Sequence, residues 1–384
     1  MTIPYGKQHI SDDDIEAVIQ VLKSDWLTQG PVVPEFEGEL ARISEAKYSV
    51  AVNSATSALH IAVQSLGLGP GDILWTSPIT FVASANCALY CGARVDFVDI
   101  DPDTFNMSPT CLSEKLRKAD AEGRLPKIIV PVHMAGNSAP MKEISALARQ
   151  YGVKIVEDAS HAIGGAYSGH PVGSCMYSDI AVFSFHPVKI VTTGEGGVAI
   201  TNDNELALRM QKIRSHGINK DLSPQEKNTF GQWYYEMTQL GFNYRMTDIE
   251  AALGLSQLKR LKAFVDQRNI LAEEYNRSLD TQHMALPKIL EGTRSAFHLY
   301  IIRLVDQTKR QEVFDFLREN RIGVNVHYIP VHLHPYYQRL GFAEGDFPFA
   351  EDYYSRAISI PLFPQMTAFE QDTVVTFLNS AVSK

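Results

Sequence analysis

Short, almost uninterrupted apolar segments alternate with helical patterns over the first two thirds of this chain. Helical spacing of apolar residues occurs at 55–66 and at about 81–91, 110–119 and 140–151. Strands that are apolar on both sides must be buried on both faces, and the helices between them supply the cover. The pattern therefore predicts an α/β protein with a mostly parallel sheet of about seven strands flanked by helices. The segments predicted to be strands are 49–53, 94–100, 127–132, 153–157, 180–185 and 197–201.

The last third of the chain has a different pattern. A long helical pattern covers about 246–279, and an alternating strand, a helix and a second strand follow at 296–304, 309–320 and 322–326. A closing helix is predicted from about residue 367. This order is typical of a small α+β unit. We therefore predict a large domain over residues 1–256 and a small C-terminal domain over 257–384.

Charge and cysteine content narrow the class of protein. The chain has 35 Lys and Arg against 44 Asp and Glu, a net charge of −9, which argues against a nucleic-acid or anionic-membrane partner. Its four cysteines form no C-x-x-C pair and no metal-ligand pattern, so they are interpreted as buried apolar residues in a reducing compartment. The N-terminus resembles no signal peptide. We expect a soluble, cytoplasmic protein without a metal site.

Ligands of an open parallel sheet bind beyond the carboxyl ends of its strands, so the residues that follow each strand are informative. Neither G-x-G-x-x-G nor a P-loop motif is present, which removes the usual support for dinucleotide binding or nucleotide hydrolysis. Ser54-Ala55-Thr56-Ser57 follows the first strand and begins a helix. Free N–H groups and hydroxyls there can bind a phosphate. The alternative is an ordinary helix cap, which favours the same residues.

Two charged residues follow later strands. Asp158 follows the strand at 153–157 and can keep a ring nitrogen protonated, or simply cap a helix. Lys189 lies in an apolar, glycine-bounded loop after the strand at 180–185. Burial and a nearby cation would lower the pKa of its amine and allow that amine to attack a carbonyl, although a surface lysine is the alternative. A phosphate site, a carboxylate and an imine-forming lysine together predict pyridoxal 5′-phosphate as the cofactor.

At these residues the chain resembles the pyridoxal-phosphate-dependent nucleotide-sugar aminotransferases, a DegT-type family with the type I fold of these enzymes. The resemblance covers nearly the whole chain and is closest to members that act in pseudaminic acid biosynthesis. It rests on LTQG at 27–30, NSATSAL at 53–59, TF at 80–81, EDASH at 157–161, SFHPVK at 184–189, GEGG at 194–197, RSHG at 214–217, GFNYR at 241–245 and VHY at 326–328.

The resemblance implies a role for each matching residue. Lys189 would join the cofactor as an imine and carry the proton, and Asp158 would pair with the ring nitrogen. Phe81 would stack on the ring, and His161 would lie near its hydroxyl. The phosphate would be bound by Ala55, Thr56, Ser184 and, from a partner subunit, Asn243. The sugar nucleotide would contact Tyr5, Asp25, Trp26, Leu27, Thr28, Asn325, Val326, His327 and Tyr328.

The implied reaction moves the amino group of L-glutamate to C4 of a UDP-linked 4-keto-6-deoxy-N-acetylhexosamine. The implied assembly is a homodimer with shared active sites, and the aromatic loop at 233–235 is a candidate interface. An alternative within the family is another carbon or another nucleotide sugar, such as a dTDP- or GDP-linked one. The dehydratase branch, in which histidine replaces the lysine, is disfavoured by Lys189. A binding protein without turnover and a metal protein using His327, His332 and His334 are further alternatives.

Overall fold

The computed structural model describes residues 2–219 and 230–383. Residues 220–229 therefore lie outside the described part of the chain. The described helices of four or more residues are α1 Asp12–Leu22, α2 Val32–Ile43, α3 Ala55–Ser65, α4 Ala83–Tyr90, α5 Pro109–Ala121, α6 Met141–Gln150, α7 Asn204–Arg214, α8 Asp248–Leu258, α9 Leu261–Ser278, α10 Arg310–Glu319, α11 Pro335–Gln338, α12 Pro348–Arg356 and α13 Ala368–Val382.

A seven-stranded sheet with the order β1-β9-β8-β5-β4-β2-β3 forms the centre of the fold. The pairs from β8 to β3 are parallel, and β9 runs antiparallel to both β8 and β1. The described strands are β1 Tyr48–Val52, β2 Ile73–Thr76, β3 Arg94–Phe97, β4 Ile128–Val130, β5 Lys154–Asp158, β6 Ala166–Tyr167, β7 His170–Pro171, β8 Ile180–Ser184, β9 Gly197–Thr201, β10 Ile218–Asn219, β11 Glu236–Met237, β12 Met284–Ala285, β13 Thr293–Arg294, β14 Tyr300–Leu304 and β15 Ala357–Ile360.

Both faces of this sheet are buried, as the apolar strands predict. Ile180 and Val182 of β8 point into one core, together with residues of α3 and α7. Ala181 and Phe183, which alternate with them, point into a second core on the opposite face. Successive side chains of a strand point to opposite faces of the sheet, and here both faces are covered by apolar layers. Every position must therefore be apolar, which explains the uninterrupted apolar segments. The predicted α/β class with a mostly parallel sheet is confirmed.

The C-terminal part of the chain forms a smaller unit around a second sheet. Strands β12, β14 and β15 form an antiparallel sheet, and α10 and α13 pack against each other beside it. The long helix predicted over 246–279 is two helices, α8 and α9. At the break, Arg260 donates to the carboxylate of Asp14, which is fully buried. A buried carboxylate requires such a partner, and the sequence pattern around Arg260 does not reveal it.

The strand predicted over 322–326 is wrong. Ile322 and Val324 are buried as a strand would require, but this segment makes only single bridges, from Ile322 to Ile3 and from Asn325 to Ser359. Two different neighbours each pair with one residue, so no ladder forms. The predicted domain boundary after residue 256 falls inside α8, and the division into two domains stays a prediction. No helix among the described residues is both long and apolar enough to span a bilayer.

Candidate active site

A cavity of about 680 Å³ lies at the carboxyl edge of the parallel strands. Asp158 at the end of β5 and Ser184 at the end of β8 line it, together with the first turn of α3. The sheet therefore brings together residues that are far apart in the chain, as expected for the carboxyl ends of parallel strands. Ten predicted site residues line this cavity: Tyr5, Ala55, Thr56, Phe81, Asp158, His161, Ser184, Lys189, His327 and Tyr328.

The other predicted site residues do not line this cavity. Thr28 forms a bridge with Thr247, and Asn243 forms one with Ser215. Asn243 is exposed, and its role in the active site of a partner subunit stays a prediction. The roles of these residues stay predictions. They are Asp25, Trp26, Leu27, Thr28, Asn243 and Asn325, all exposed, and Val326, which is half-buried.

The first turn of α3 is arranged to bind an anion. The Ser54 hydroxyl accepts a hydrogen bond from the Ser57 N–H at 3.1 Å, so this serine is the helix cap that the alternative interpretation proposed. The N–H groups of Ala55 and Thr56 have no acceptor among the described residues. Unpaired N–H groups at the positive end of a helix dipole attract a phosphate. The segment thus combines a cap with an anion site.

Gly197 keeps the opposite wall of this anion site open. A Cβ atom at position 197 would lie 2.5 Å from the Ala55 nitrogen and 2.6 Å from its Cα. Real Cβ atoms do not approach backbone atoms that closely. The absence of a side chain therefore allows β9 to pass directly beside the start of α3.

Replacing Gly197 with alanine is expected to weaken cofactor binding. Because the added methyl group must displace the Ala55 backbone, an overpacking cost of about 1–3 kcal/mol follows. We expect the dissociation constant for pyridoxal 5′-phosphate, measured by fluorescence titration, to rise roughly tenfold. Gly38→Ala in α2 is the matched control, since no atom lies within 4 Å of the added Cβ. Equal affinities for the two variants would contradict this role of Gly197.

The carboxylate of Asp158 is buried and fixed by two donors. The hydroxyl of Ser84 donates to Oδ2 at 2.5 Å, and the N–H of Ser160 donates to Oδ1 at 3.1 Å. Ser84 also contacts the Thr80 hydroxyl at 2.7 Å. Donors on both oxygens hold the carboxylate in one orientation. The neighbouring Glu157 points to the opposite face of the sheet, where it bonds to His133.

Lys189 lies on a loop that is closed at both ends. The Phe185 N–H donates to the Gly196 carbonyl at 2.9 Å, and the Thr193 N–H donates to the Phe185 carbonyl at 3.0 Å. Ile190, directly after the lysine, is buried and anchors the loop in the core beneath the sheet. The ammonium group of Lys189 is thereby held at the cavity instead of extending into solvent.

Burial lowers the pKa of Lys189 to about 8. The predicted direction agrees with this shift, but the predicted cation is not its cause: the carboxylate of Asp158 acts in the opposite direction and raises the pKa. At pH 7 about one tenth of the amine is then uncharged, against far less than 1% for a free lysine. An uncharged amine is the form that attacks a carbonyl.

Aromatic and imidazole rings cover the rest of the cavity. Phe81 is an apolar ring with 58% of its surface exposed at the cavity, and its centroid lies 6.2 Å from that of Tyr328. His161 and His327 are both buried. Burial is the main cause that lowers the pKa of His161 well below its usual value and the pKa of His327 to about 4. Both imidazoles are therefore neutral near pH 7.

The structure adds site residues that the motifs did not assign. Ser84 holds Asp158, and His298 packs its ring 4.5 Å from the ring of His161. Ser84 lies four residues after Thr80, one turn of helix, and that spacing could have identified it. His298 comes from a distant segment, and no local signal marks it. Among the described residues, no group of three or more His, Cys, Asp or Glu side chains is placed to bind a metal ion.

The residues present fit pyridoxal 5′-phosphate. The free N–H groups at the start of α3, beside the space that Gly197 leaves open, match the phosphate of the cofactor. The fixed carboxylate of Asp158 matches its ring nitrogen. An exposed phenyl ring at Phe81 offers a stacking surface that nothing in the described chain covers completely. The amine with the lowered pKa at Lys189 matches its aldehyde. The N–H groups of Ala55 and Thr56, the carboxylate, the phenyl ring and the amine all belong to residues that line the same cavity.

Comparison with known proteins agrees with this geometry. The DegT/DnrJ/EryC1/StrS aminotransferase family model matches residues 8–379. The spore coat polysaccharide biosynthesis protein SpsC of Bacillus subtilis is 39% identical over 99% of this chain and 97% of its own length. The UDP-4-amino-4,6-dideoxy-N-acetyl-beta-L-altrosamine transaminase of Campylobacter jejuni is 38% identical over 98% of this chain and 97% of its own length.

Solved structures show the same fold over the whole chain. PseC of Helicobacter pylori, an aminotransferase of pseudaminic acid biosynthesis, has a TM-score of 0.91 and 30% identity and covers 100% of both chains. The PLP-form of Spr1654 from Streptococcus pneumoniae has a TM-score of 0.91 and 28% identity, covering 100% of this chain and 99% of its own. These structures confirm the predicted type I fold. The chain therefore belongs to the DegT/DnrJ/EryC1/StrS aminotransferase family and is a pyridoxal 5′-phosphate-dependent sugar aminotransferase.

Proposed function

We propose that this enzyme transfers the amino group of L-glutamate to C4 of a UDP-linked 4-keto-6-deoxy-N-acetylhexosamine. The product is a UDP-4-amino-4,6-dideoxy sugar of the kind used to make pseudaminic acid. The observation that carries the transamination is the presence of Lys189 and Asp158 in a single cavity. The choice of sugar rests on the similarity to the Campylobacter jejuni transaminase and to PseC.

The chain's own residues divide the reaction between them. When bound, the cofactor supplies an electron sink for the carbanion that remains after a proton leaves the carbon bearing the amino group. The neutral amine of Lys189 takes that proton as a general base and returns it as a general acid. Asp158, fixed by Ser84 and Ser160, would pair with the ring nitrogen and keep it protonated. The first turn of α3 holds the phosphate in place through its N–H groups.

The two halves of the reaction use the same groups in opposite order. In the first half, Lys189 would remove the proton from the α-carbon of glutamate; 2-oxoglutarate would leave with a keto oxygen taken from water, and the amino group and the electron pair would stay with the cofactor. In the second half, Lys189 would deliver a proton to C4 of the sugar, whose keto oxygen is lost as water, and the amino sugar would leave with the amino group and the electron pair. One lysine serves both halves because its pKa, about 8, lies close to neutral pH, where both protonation states are accessible.

A homodimer with shared active sites completes the proposal. The diphosphate of a nucleotide sugar requires cationic or N–H donors. Among the described residues that line the cavity, Lys189 is the only lysine or arginine, and it is engaged in the chemistry. We therefore propose that a second subunit supplies further donors for the diphosphate, and that the same subunit places Asn243 at the phosphate of the cofactor. The exposed aromatic residues Trp233 and Tyr235 are candidates for that interface.

The proposal is tested with purified enzyme, pyridoxal 5′-phosphate, L-glutamate and a panel of keto sugars. The panel contains UDP-4-keto-6-deoxy-N-acetylhexosamines of both C5 configurations, a dTDP-linked 4-keto sugar, a GDP-linked 4-keto sugar and a 3-keto sugar. Formation of 2-oxoglutarate gives the rate, and NMR of the product gives the aminated carbon and its configuration. We expect kcat/KM to be highest for a UDP-linked 4-keto sugar.

Two outcomes would contradict the proposal in different ways. A preference for a dTDP-linked, GDP-linked or 3-keto substrate would keep the family reaction and replace the substrate. Binding of the cofactor without amino transfer to any sugar would point to the binding-protein alternative. Sedimentation of a fully active monomer would contradict the shared site.

A further inference from the structure

His161 and Tyr328 form a buried hydrogen bond between two distant parts of the chain. The Tyr328 hydroxyl lies 3.1 Å from Nε2 of His161. The two rings are nearly parallel, with centroids 6.1 Å apart. His161 follows β5 of the central sheet, whereas Tyr328 lies in the C-terminal segment after α10. Both side chains line the cavity that contains Lys189.

The direction of this hydrogen bond follows from the available partners. Both groups are neutral near pH 7, because burial lowers the pKa of His161 and raises the pKa of Tyr328. The Tyr328 hydroxyl has no other acceptor among the described residues. A buried hydroxyl that donates to nothing loses the free energy of a hydrogen bond. If Tyr328 donates to Nε2 of His161, only the Nδ1–H is left unpaired, whereas the reverse direction leaves both the hydroxyl proton and Nδ1 without a partner. The first arrangement, with the imidazole proton on Nδ1, is therefore favoured.

The second imidazole nitrogen is left without a protein partner. Nδ1 of His161 is buried and has no hydrogen-bond partner within the described chain. Nδ1 of His298, on the ring that packs against His161, is also buried and unpaired, so the two nitrogens do not satisfy each other. An unpaired buried donor is unfavourable. Because His161 lines the cavity, a bound molecule with an acceptor oxygen within reach of Nδ1 would remove that penalty.

We propose that Tyr328 is a positioning residue that fixes the tautomer of His161, so that its Nδ1–H can donate to the ring hydroxyl oxygen of the bound cofactor. Tyr328 acts through His161 and need not touch the cofactor itself. The pairing couples the C-terminal segment to the cofactor site of the central sheet. This inference rests on the proposed role of the cavity, but the tautomer of His161 can be measured independently of any reaction.

The tautomer is measured by NMR on the full chain labelled with ¹⁵N in its histidine side chains. Long-range ¹H–¹⁵N spectra distinguish a protonated from an unprotonated ring nitrogen, and His161→Gln identifies the signals of His161. In the unmodified protein, with and without the cofactor, we expect a protonated Nδ1 and an unprotonated Nε2. In Tyr328→Phe we expect a mixture of tautomers or the reverse one. Tyr337→Phe is the control, because its hydroxyl bonds to Asn86 at 2.6 Å, outside the cavity.

A double-mutant cycle tests whether Tyr328 acts through His161. Loss of one hydrogen bond of about 1–1.5 kcal/mol predicts that Tyr328→Phe raises the cofactor dissociation constant roughly tenfold. The same change in a His161→Ala background should have little effect, because its partner is gone. Equal effects in both backgrounds would overturn the inference. An unchanged His161 tautomer in Tyr328→Phe would overturn it as well, whatever reaction the enzyme performs.

Discussion

Replacing Lys189 with alanine is expected to lower kcat for amino transfer by about 10⁴-fold or more, since one residue supplies both the covalent attachment and the proton transfers. The amine that burial holds near a pKa of 8 is the only lysine or arginine in the described lining of the cavity. His161 and His327 do not replace it, because burial leaves both imidazoles neutral and weakly basic. Turnover by stopped-flow mixing with glutamate and the sugar nucleotide measures the effect.

The same variant gives a structural readout. Borohydride reduction of the unmodified enzyme should attach the cofactor to the peptide that contains Lys189, and Lys189→Ala should show no such product. Lys142→Ala is the matched control, because Lys142 is exposed on α6, outside the cavity. Cofactor trapped on another lysine would refute the assignment of Lys189. A small primary amine added to Lys189→Ala should restore part of the proton transfer, which separates lost chemistry from lost folding.

The central part of the site was predictable because it depends on strand ends. Asp158 and Lys189 follow two apolar strands, and the carboxyl ends of parallel strands share one edge of the sheet. Ala55 and Thr56 follow a third strand and begin a helix. Local sequence therefore predicted both the type of residue and its place in the fold. The antiparallel insertion of β9 between β1 and β8 does not disturb this arrangement, because Gly197 avoids the start of α3.

The parts that escaped prediction depend on pairing between distant segments. The helix break at Arg260 accompanies a bond to Asp14, nearly 250 positions earlier in the chain. His298 reaches His161 from a segment whose apolar alternation predicts only a strand. Strand β2 is absent from the strands that the apolar segments predict. No window of local sequence contains information about such partners.

The predicted substrate residues show the same division. Tyr5, His327 and Tyr328 line the cavity, whereas 25–28 and Asn325 lie outside it. The first group is held by contacts within the chain: the Tyr5 carbonyl accepts from the Leu362 N–H at 3.0 Å, and Nδ1 of His327 lies 2.8 Å from the Ser359 hydroxyl. The second group is exposed outside the lining, and its contact with a substrate stays a prediction.

Replacing Asp158 with asparagine is expected to lower kcat by about 10²–10³-fold, the usual effect of removing one preorganised electrostatic group from an enclosed site. The substitution preserves shape. The amide oxygen can still accept from the Ser160 N–H, and the hydroxyl of Ser84 can rotate to accept from the new amide. What disappears is the negative charge that keeps the ring nitrogen protonated. We therefore expect a large loss of turnover with little change in Tm.

Glu157→Gln makes the same chemical change one residue earlier and should have the opposite consequences. Glu157 is on the other face of β5, where its carboxylate accepts from the Ser178 hydroxyl and from Nε2 of His133. Nδ1 of His133 already accepts from the Ala139 N–H, so Nε2 carries the proton. If the carbonyl oxygen of the glutamine accepts from His133, its amide faces Ser178, and the Ser178 hydroxyl can rotate to accept from that amide. The hydroxyl proton of Ser178 then loses the carboxylate as its acceptor, whereas Ser84 beside Asp158 keeps the Thr80 hydroxyl at 2.7 Å. The lost hydrogen bond costs about 0.5–1.5 kcal/mol. Tm should fall while kcat stays nearly unchanged. If Asp158→Asn instead lost stability in parallel with its activity, the carboxylate would serve the fold, and its role in catalysis would be refuted.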